Sequence, residues 1–165
     1  MIRAARALYF TVLGVWAGGM ATLAFIVAPT LFRSAPSRAI AGSLFGSVLR
    51  SFGTLELVLG LLAVAAVLLL WWKADLSPKG GTVRIVVLSL MIGLSALSGF
   101  HLGPAIERER ASIPNFESVP ARVPARARFD SLHAWSVRVG ALTLLLGVGL
   151  LAGSAATLKP RPDGP

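Results

Sequence analysis

The ionisable side chains of this chain that stand where chemistry would be expected are Glu56, Arg138, His101 and His133. Glu56 is the one formal charge in the otherwise apolar stretch 51–72. An ion isolated in hydrocarbon costs at least a few kcal/mol, so it is expected to face a partner or water and counts as a functional-site hypothesis. Glu56 lies six residues beyond Arg50, about 9 Å along a helix axis, and Arg138 stands at a comparable depth. Opposite sign and matched depth predict that the two pair, since either charge alone would be stranded. His133, with Asp130 three residues before it, falls on the same side. Glu56, Arg138, His133 and Asp130 are therefore expected to line a polar pocket at one membrane face. An ion pair that only fixes which helices are neighbours accounts for the same residues.

His101 and His133 are the only histidines. Two imidazoles at matching depth have the chemistry to ligate a metal or haem iron, and hydrogen bonding at the interface explains each of them as well. Copper fits less well: there is no cysteine, and Met20 and Met91 fall near mid-span, away from both histidines, so soft ligands are missing. No Gly-rich phosphate loop, paired acidic metal motif or Gly-x-Ser-x-Gly elbow is present. The residues thus point to no enzyme and no cofactor. They suggest a protein that handles a small solute or ion, or assists another membrane protein, with a haem- or metal-binding redox protein as the alternative.

The elements that must position these groups are set by the absence of charge. The blocks 7–32, 51–72, 85–102 and 139–158 carry one charge among them, Glu56. Crossing about 30 Å of hydrocarbon takes roughly 20 apolar residues as helix, and the blocks reach or nearly reach that length. With 55% hydrophobic and 14% charged residues and a mean hydropathy of +0.76, the chain has too little polar surface to clothe a soluble core. Only helices or closed barrels satisfy their backbone in lipid, and the alternation of barrel strands is missing. The expected fold is all-α: an integral membrane four-helix bundle with an interfacial amphipathic helix between spans 1 and 2. One domain, 1–158, holds spans at about 7–32, 51–72, 82–102 and 131–158, followed by a tail, 159–165. The first block runs 26 residues without a charge, beyond the roughly 7–15 of a signal h-region, which predicts a retained span.

Pro29 disfavours helix at Ala28, so span 1 is expected to end near 28–32. In 36–50, Ile40, Leu44 and Val48 recur every four residues while Arg38, Ser43, Ser47 and Arg50 take other faces, the pattern of a helix lying in the interface. Trp71-Trp72-Lys73 is an aromatic belt with a snorkelling cation, and 75–81 is a tight connector. Pro104 opens a short helix over Glu107-Arg108-Glu109-Arg110, with surface loop from there to Phe129. Gly14-xxx-Gly18, Gly99-xxx-Gly103 and Gly149-xxx-Gly153 have the spacing of close helix packing, read as packing inside the bundle or as a face for a second copy. No internal or inverted repeat is visible in the sequence.

Seven Lys and Arg fall on the side of the N-terminus and nine on the other, five of the nine in the long 103–131 connection. Because short loops carry the orientation signal, both termini are expected in the cytoplasm. The net charge of +9 is set in short segments at span ends without interleaved aromatics, which fits anionic lipid headgroups and not nucleic acid. The expected partners are the lipid bilayer and a second copy or another membrane protein.

Gly18-Gly19, then Phe25 through Phe32 reading Phe-Ile-Val-Ala-Pro-Thr-Leu-Phe, then Ala41-Gly42 before Phe45-Gly46, and finally Phe129-x-x-Leu132-His133-x-x-Ser136, resemble the transmembrane protein 205-like family, described in bacteria as domain of unknown function 4149. The resemblance covers about 7–155. It implies a four-helix protein of the bacterial inner membrane and offers no established catalytic residue. It draws attention to Ala28, Pro29, Phe32, Ala41, Gly42, Phe129 and His133 as the positions that carry its pattern.

Overall fold

In the computed structural model, residues 1–113, 118, 120 and 123–157 are described. The expected loop positions at 114–117, 119 and 121–122, and the end of span 4 with the tail at 158–165, lie outside them. Four rods cross the molecule, each long and apolar enough to span a bilayer: Ile2–Ser34, Arg38–Trp72, Pro78–Ala111 and Pro124–Thr157. The chain is a multi-pass, all-helical membrane protein in contact with lipid.

The first rod is α1 (Ile2–Thr22), a π-helical turn (Leu23–Val27) and α2 (Ala28–Ser34). The second is the single helix α3 (Arg38–Trp72). The third is α4 (Pro78–Leu97), a second π-helical turn (Ser98–Leu102) and α5 (Gly103–Ala111). The fourth is α6 (Pro124–Thr157). The entries into α3 and α4 are capped in the same way. The Ser37 hydroxyl accepts from the Ile40 amide and the Ser77 hydroxyl from that of Gly80, each satisfying an otherwise orphaned amide of the first turn. Around the bundle α1 packs on α3, α3 on α4, α4 on α6 and α6 back on α1.

Two expectations are corrected. No separate interfacial helix lies between spans 1 and 2: 38–50 is the first part of α3 and runs without a break into the span. At 1.5 Å per residue a rod of this length is about 50 Å long, against about 30 Å of hydrocarbon. The amphipathic pattern at 38–50 therefore belongs to a bundle that continues past the bilayer, where α5 packs on both α3 and α6. Second, Pro29 does not end the first rod. A proline removes one amide and crowds the carbonyl four residues back, and the preceding turn takes up both effects by widening: the Ala28 amide donates to the carbonyl of Leu23, five residues back. Pro104 is handled identically, with the Gly103 amide donating to Ser98. The short helix expected after Pro104 is α5.

This shared device exposes a repeat that residue identities conceal. Trp16 and Met91 each lie 13 residues before the proline of their own rod, and the inward-facing sets Tyr9, Leu13, Trp16 and Arg84, Leu88, Met91 have the same spacing. Leu59, Ala63, Ala66, Leu70 of α3 and Thr143, Gly147, Leu150, Ser154 of α6 repeat it in the second helix of each hairpin. The two hairpins share one burial register with different side chains in it.

The glycines that permit close approach differ from those the spacing suggests. A Cβ built on Gly14, Gly18, Gly99, Gly149 or Gly153 meets nothing within 4 Å, and on Gly103 it meets only a carbonyl of its own rod. The crowded positions are Gly19 under Phe52, Gly60 under Ile92 and Trp16, and Gly81 under Trp71. The expected belt is present, with the Lys73 ammonium 5.1 Å from the Trp72 ring. The connector after it turns through Ala74, whose φ is +54°, and is tied to α1 by Arg6 and Asp75.

Candidate functional site

The site is built on α3. Glu56 shares the inward face of that helix with Leu59, Gly60 and Ala63, and about 24 Å of helix separates it from the Trp72 belt. At Gly60, one turn further on, a Cβ would lie 3.2 Å from the Trp16 ring. The missing side chain lets the indole rest against α3, which brings its Nε1–H to the Glu56 carboxylate at 3.1 Å. Trp16 is completely buried and Glu56 is 7% exposed. Ser95 of α4, 5% exposed, has its hydroxyl beside the same carboxylate without closing a hydrogen bond to any described group. Three of the four rods thus meet at one acid. Both neighbouring polar groups are neutral, and among the described residues no cation pairs with Glu56.

The expected pocket is not assembled. Arg138 is exposed, with its guanidinium 5.5 Å from the ring of Trp135 on its own helix. The inward register of α6 is Val139, Thr143, Gly147, Leu150 and Ser154. Arg138, one residue before it, is rotated about 100° away, so matched depth does not bring it to Glu56. Asp130 pairs instead with Arg126 one turn before it, at 3.2 Å. His133 is exposed and stacks on Phe129, ring centroids 6.0 Å apart and planes within 2°. That stack gives the Phe-x-x-Leu-His spacing a local reason: positions four apart lie above one another on a helix. His101 is exposed in the second π turn. Among the described residues no three or more His, Asp or Glu side chains converge as metal ligands.

The remaining pattern positions are architectural. Ala28 and Pro29 shape the first π turn, and Phe32 is exposed beyond it. Ala41 is fully buried, and at Gly42 a Cβ would come within 3.3 Å of Arg110. Arg110 donates to the Ala39 carbonyl at 3.3 Å and is clamped by Glu107. Ala41-Gly42 is thus the notch by which α5 docks on α3.

Sequence reasoning missed Trp16 and Ser95, although a tryptophan in mid-span, away from the Trp71-Trp72 belt, was a usable signal. It also missed Arg84, buried at the other end of the bundle against Ser154, which in turn bonds Tyr9. Compared with known families, residues 11–113 match the family model described as domain of unknown function (DUF4149). No curated protein and no solved structure matches the chain.

Proposed function

Given that the chain belongs to the domain of unknown function 4149 family, whose description names no activity, we propose that it handles a proton or small cation through Glu56 and catalyses no bond-making reaction. The observation that carries this reading is a carboxyl buried in a membrane span among neutral groups only, Trp16 and Ser95. A carboxyl in that setting is costly as an anion and is relieved by taking up a proton or a cation. The hairpin repeat supports it: the position of α6 that corresponds to Glu56 is Gly140, and Met91 and Met20 stand where Trp16 and Ser95 do. The corresponding position of the other hairpin thus carries no side chain, and a Cβ there would meet nothing within 4 Å, so the repeat itself does not call for an acid. The reading extends to the bacterial inner membrane with both termini in the cytoplasm, and to kinship with transmembrane protein 205-like proteins on the motifs quoted above.

The test uses the full chain in liposomes under an imposed potassium diffusion potential, with an interior pH-sensitive dye. Wild type is expected to take up protons, and Glu56→Gln, checked for folding by its thermal transition, to fall to the rate of empty liposomes. Imposed sodium or potassium gradients without a potassium ionophore, read with dyes selective for those ions, separate proton from cation. Equal fluxes for wild type, Glu56→Gln and empty liposomes under all three ions overturn the proposal.

A further inference from the structure

We propose that Arg84 holds a phosphate oxyanion at the membrane face shared by the start of α1, the 73–77 connector and the end of α6. Arg84 is 8% exposed. Its Nε donates to Ser154 Oγ at 3.2 Å, its Nη1 to the Gly80 carbonyl at 3.0 Å and its Nη2 to Thr157 Oγ1 at 2.7 Å. Every acceptor is neutral, and among the described residues no carboxylate pairs with it. Among the described residues the connector on this face carries an acid, Asp75, which is taken by Arg6.

A guanidinium has five N–H donors, so these three bonds leave one unspent on each Nη. The Nε bond is enclosed, whereas both Nη bonds lie at a partly open edge. The free donors are therefore on the accessible nitrogens, and their spacing suits two oxygens of one phosphate. Tyr9 holds Ser154 from below with a 3.1 Å hydrogen bond, which fixes the inner edge of the fork. A buried cation without an anion is expensive; a bound phosphate removes that cost. Tyr9, neutral, occupies the corresponding register of α1, so the register does not require a charge. Exposed Lys73 and Lys79 add positive potential on the same face. Basic sites between transmembrane helices at this depth are where anionic headgroups bind. The shared chemistry is an anionic phosphate, from a lipid headgroup or free in solution. Arg84 lies 11 residues from Ser95 along α4, about 16 Å, so the proposal stands apart from Glu56.

The test is native mass spectrometry of the full chain in neutral detergent with equimolar phosphatidylglycerol and phosphatidylcholine. Wild type is expected to retain phosphatidylglycerol about fivefold over phosphatidylcholine, the ratio one well-placed arginine supports. Arg84→Gln should bring the two lipids level, Arg138→Gln, exposed at the opposite face, should leave the preference within about twofold of wild type, and Arg84→Lys should keep part of it. If Arg84→Gln does not fold, the thermal midpoint of wild type serves instead and should rise with phosphatidylglycerol and not with phosphatidylcholine. Inorganic phosphate alone is run in parallel; a midpoint rise with phosphate and none beyond it with phosphatidylglycerol assigns the site to the free ion. No preference and no midpoint rise with either probe, or an undiminished preference in Arg84→Gln, overturns the proposal.

Discussion

The indole N–H of Trp16 donates to the Glu56 carboxylate at 3.1 Å, joining α1 to α3 across 40 residues of chain. Both partners are buried, so removing the donor alone leaves an acceptor without water to replace it. Trp16→Phe is expected to lower stability by about 1–3 kcal/mol, the range for an unsatisfied buried polar group plus some lost packing. In a Glu56→Leu background no acceptor remains, and the same substitution should cost markedly less. Thermal unfolding of the four proteins in detergent reads this coupling. Equal costs in the two backgrounds would show that the hydrogen bond contributes nothing.

Glu56 and Arg138, by contrast, are uncoupled in this fold. Arg138 lies outside the inward register of α6 and against Trp135. Arg138→Gln is therefore expected to change stability by less than about 0.5 kcal/mol, as exposed sites do. It should add to Glu56→Gln within about 0.5 kcal/mol. Recovery of the Glu56→Gln loss by Arg138→Gln would place the two charges together after all.

Charge and apolar length made the spans legible, because hydrocarbon tolerates few alternatives. Helix face was not legible to the same degree. Glu56 and Arg138 match in depth, but depth says nothing about rotation, and one residue of register on α6 separates an inward Val139 from an outward Arg138. Pro29 misled for a related reason: its local effect is real, yet a widened turn absorbs it where neighbouring helices hold the rod together. The repeat was hidden because its two halves share spacing and almost no side chains, with Trp16 against Met91 and Glu56 against Gly140.

The glycine spacing can be tested directly, since the crowded and the open positions separate cleanly. A Cβ on Gly60 would sit 2.5 Å from Ile92 Cγ1, between that side chain and the Trp16 ring. Gly60→Ala is expected to destabilise by about 1–3 kcal/mol through overpacking. It should also displace the indole from Glu56, visible as a shift in tryptophan fluorescence. Gly149→Ala, with nothing within 4 Å, should be neutral or stabilising by up to about 1 kcal/mol from helix propensity. A destabilised Gly149→Ala would mean that this face is covered in the assembled protein.

Arg6 and Asp75 form a two-point contact, Nε to Oδ2 at 2.8 Å and Nη2 to Oδ1 at 2.6 Å, that closes the connector between α3 and α4 onto α1. The Asp75 side chain is 6% exposed and that of Arg6 22%, so the acid is the more deeply placed partner. Removing the arginine strands a carboxylate with little water, whereas removing the acid leaves a cation able to reach the headgroup region. Arg6→Ala is accordingly expected to cost more than Asp75→Ala. A coupling of about 1 kcal/mol in the double-mutant cycle is expected, near the upper end for pairs that water still reaches. Arg6→Lys keeps the charge and loses the fork, so it should recover only part of the coupling. Part of the coupling should also fade between low salt and about 1 M, where the screening length falls to roughly 3 Å. Thermal midpoints in detergent at the two salt concentrations check each step, and an Asp75→Ala loss larger than that of Arg6→Ala would reverse the assignment of the stranded charge.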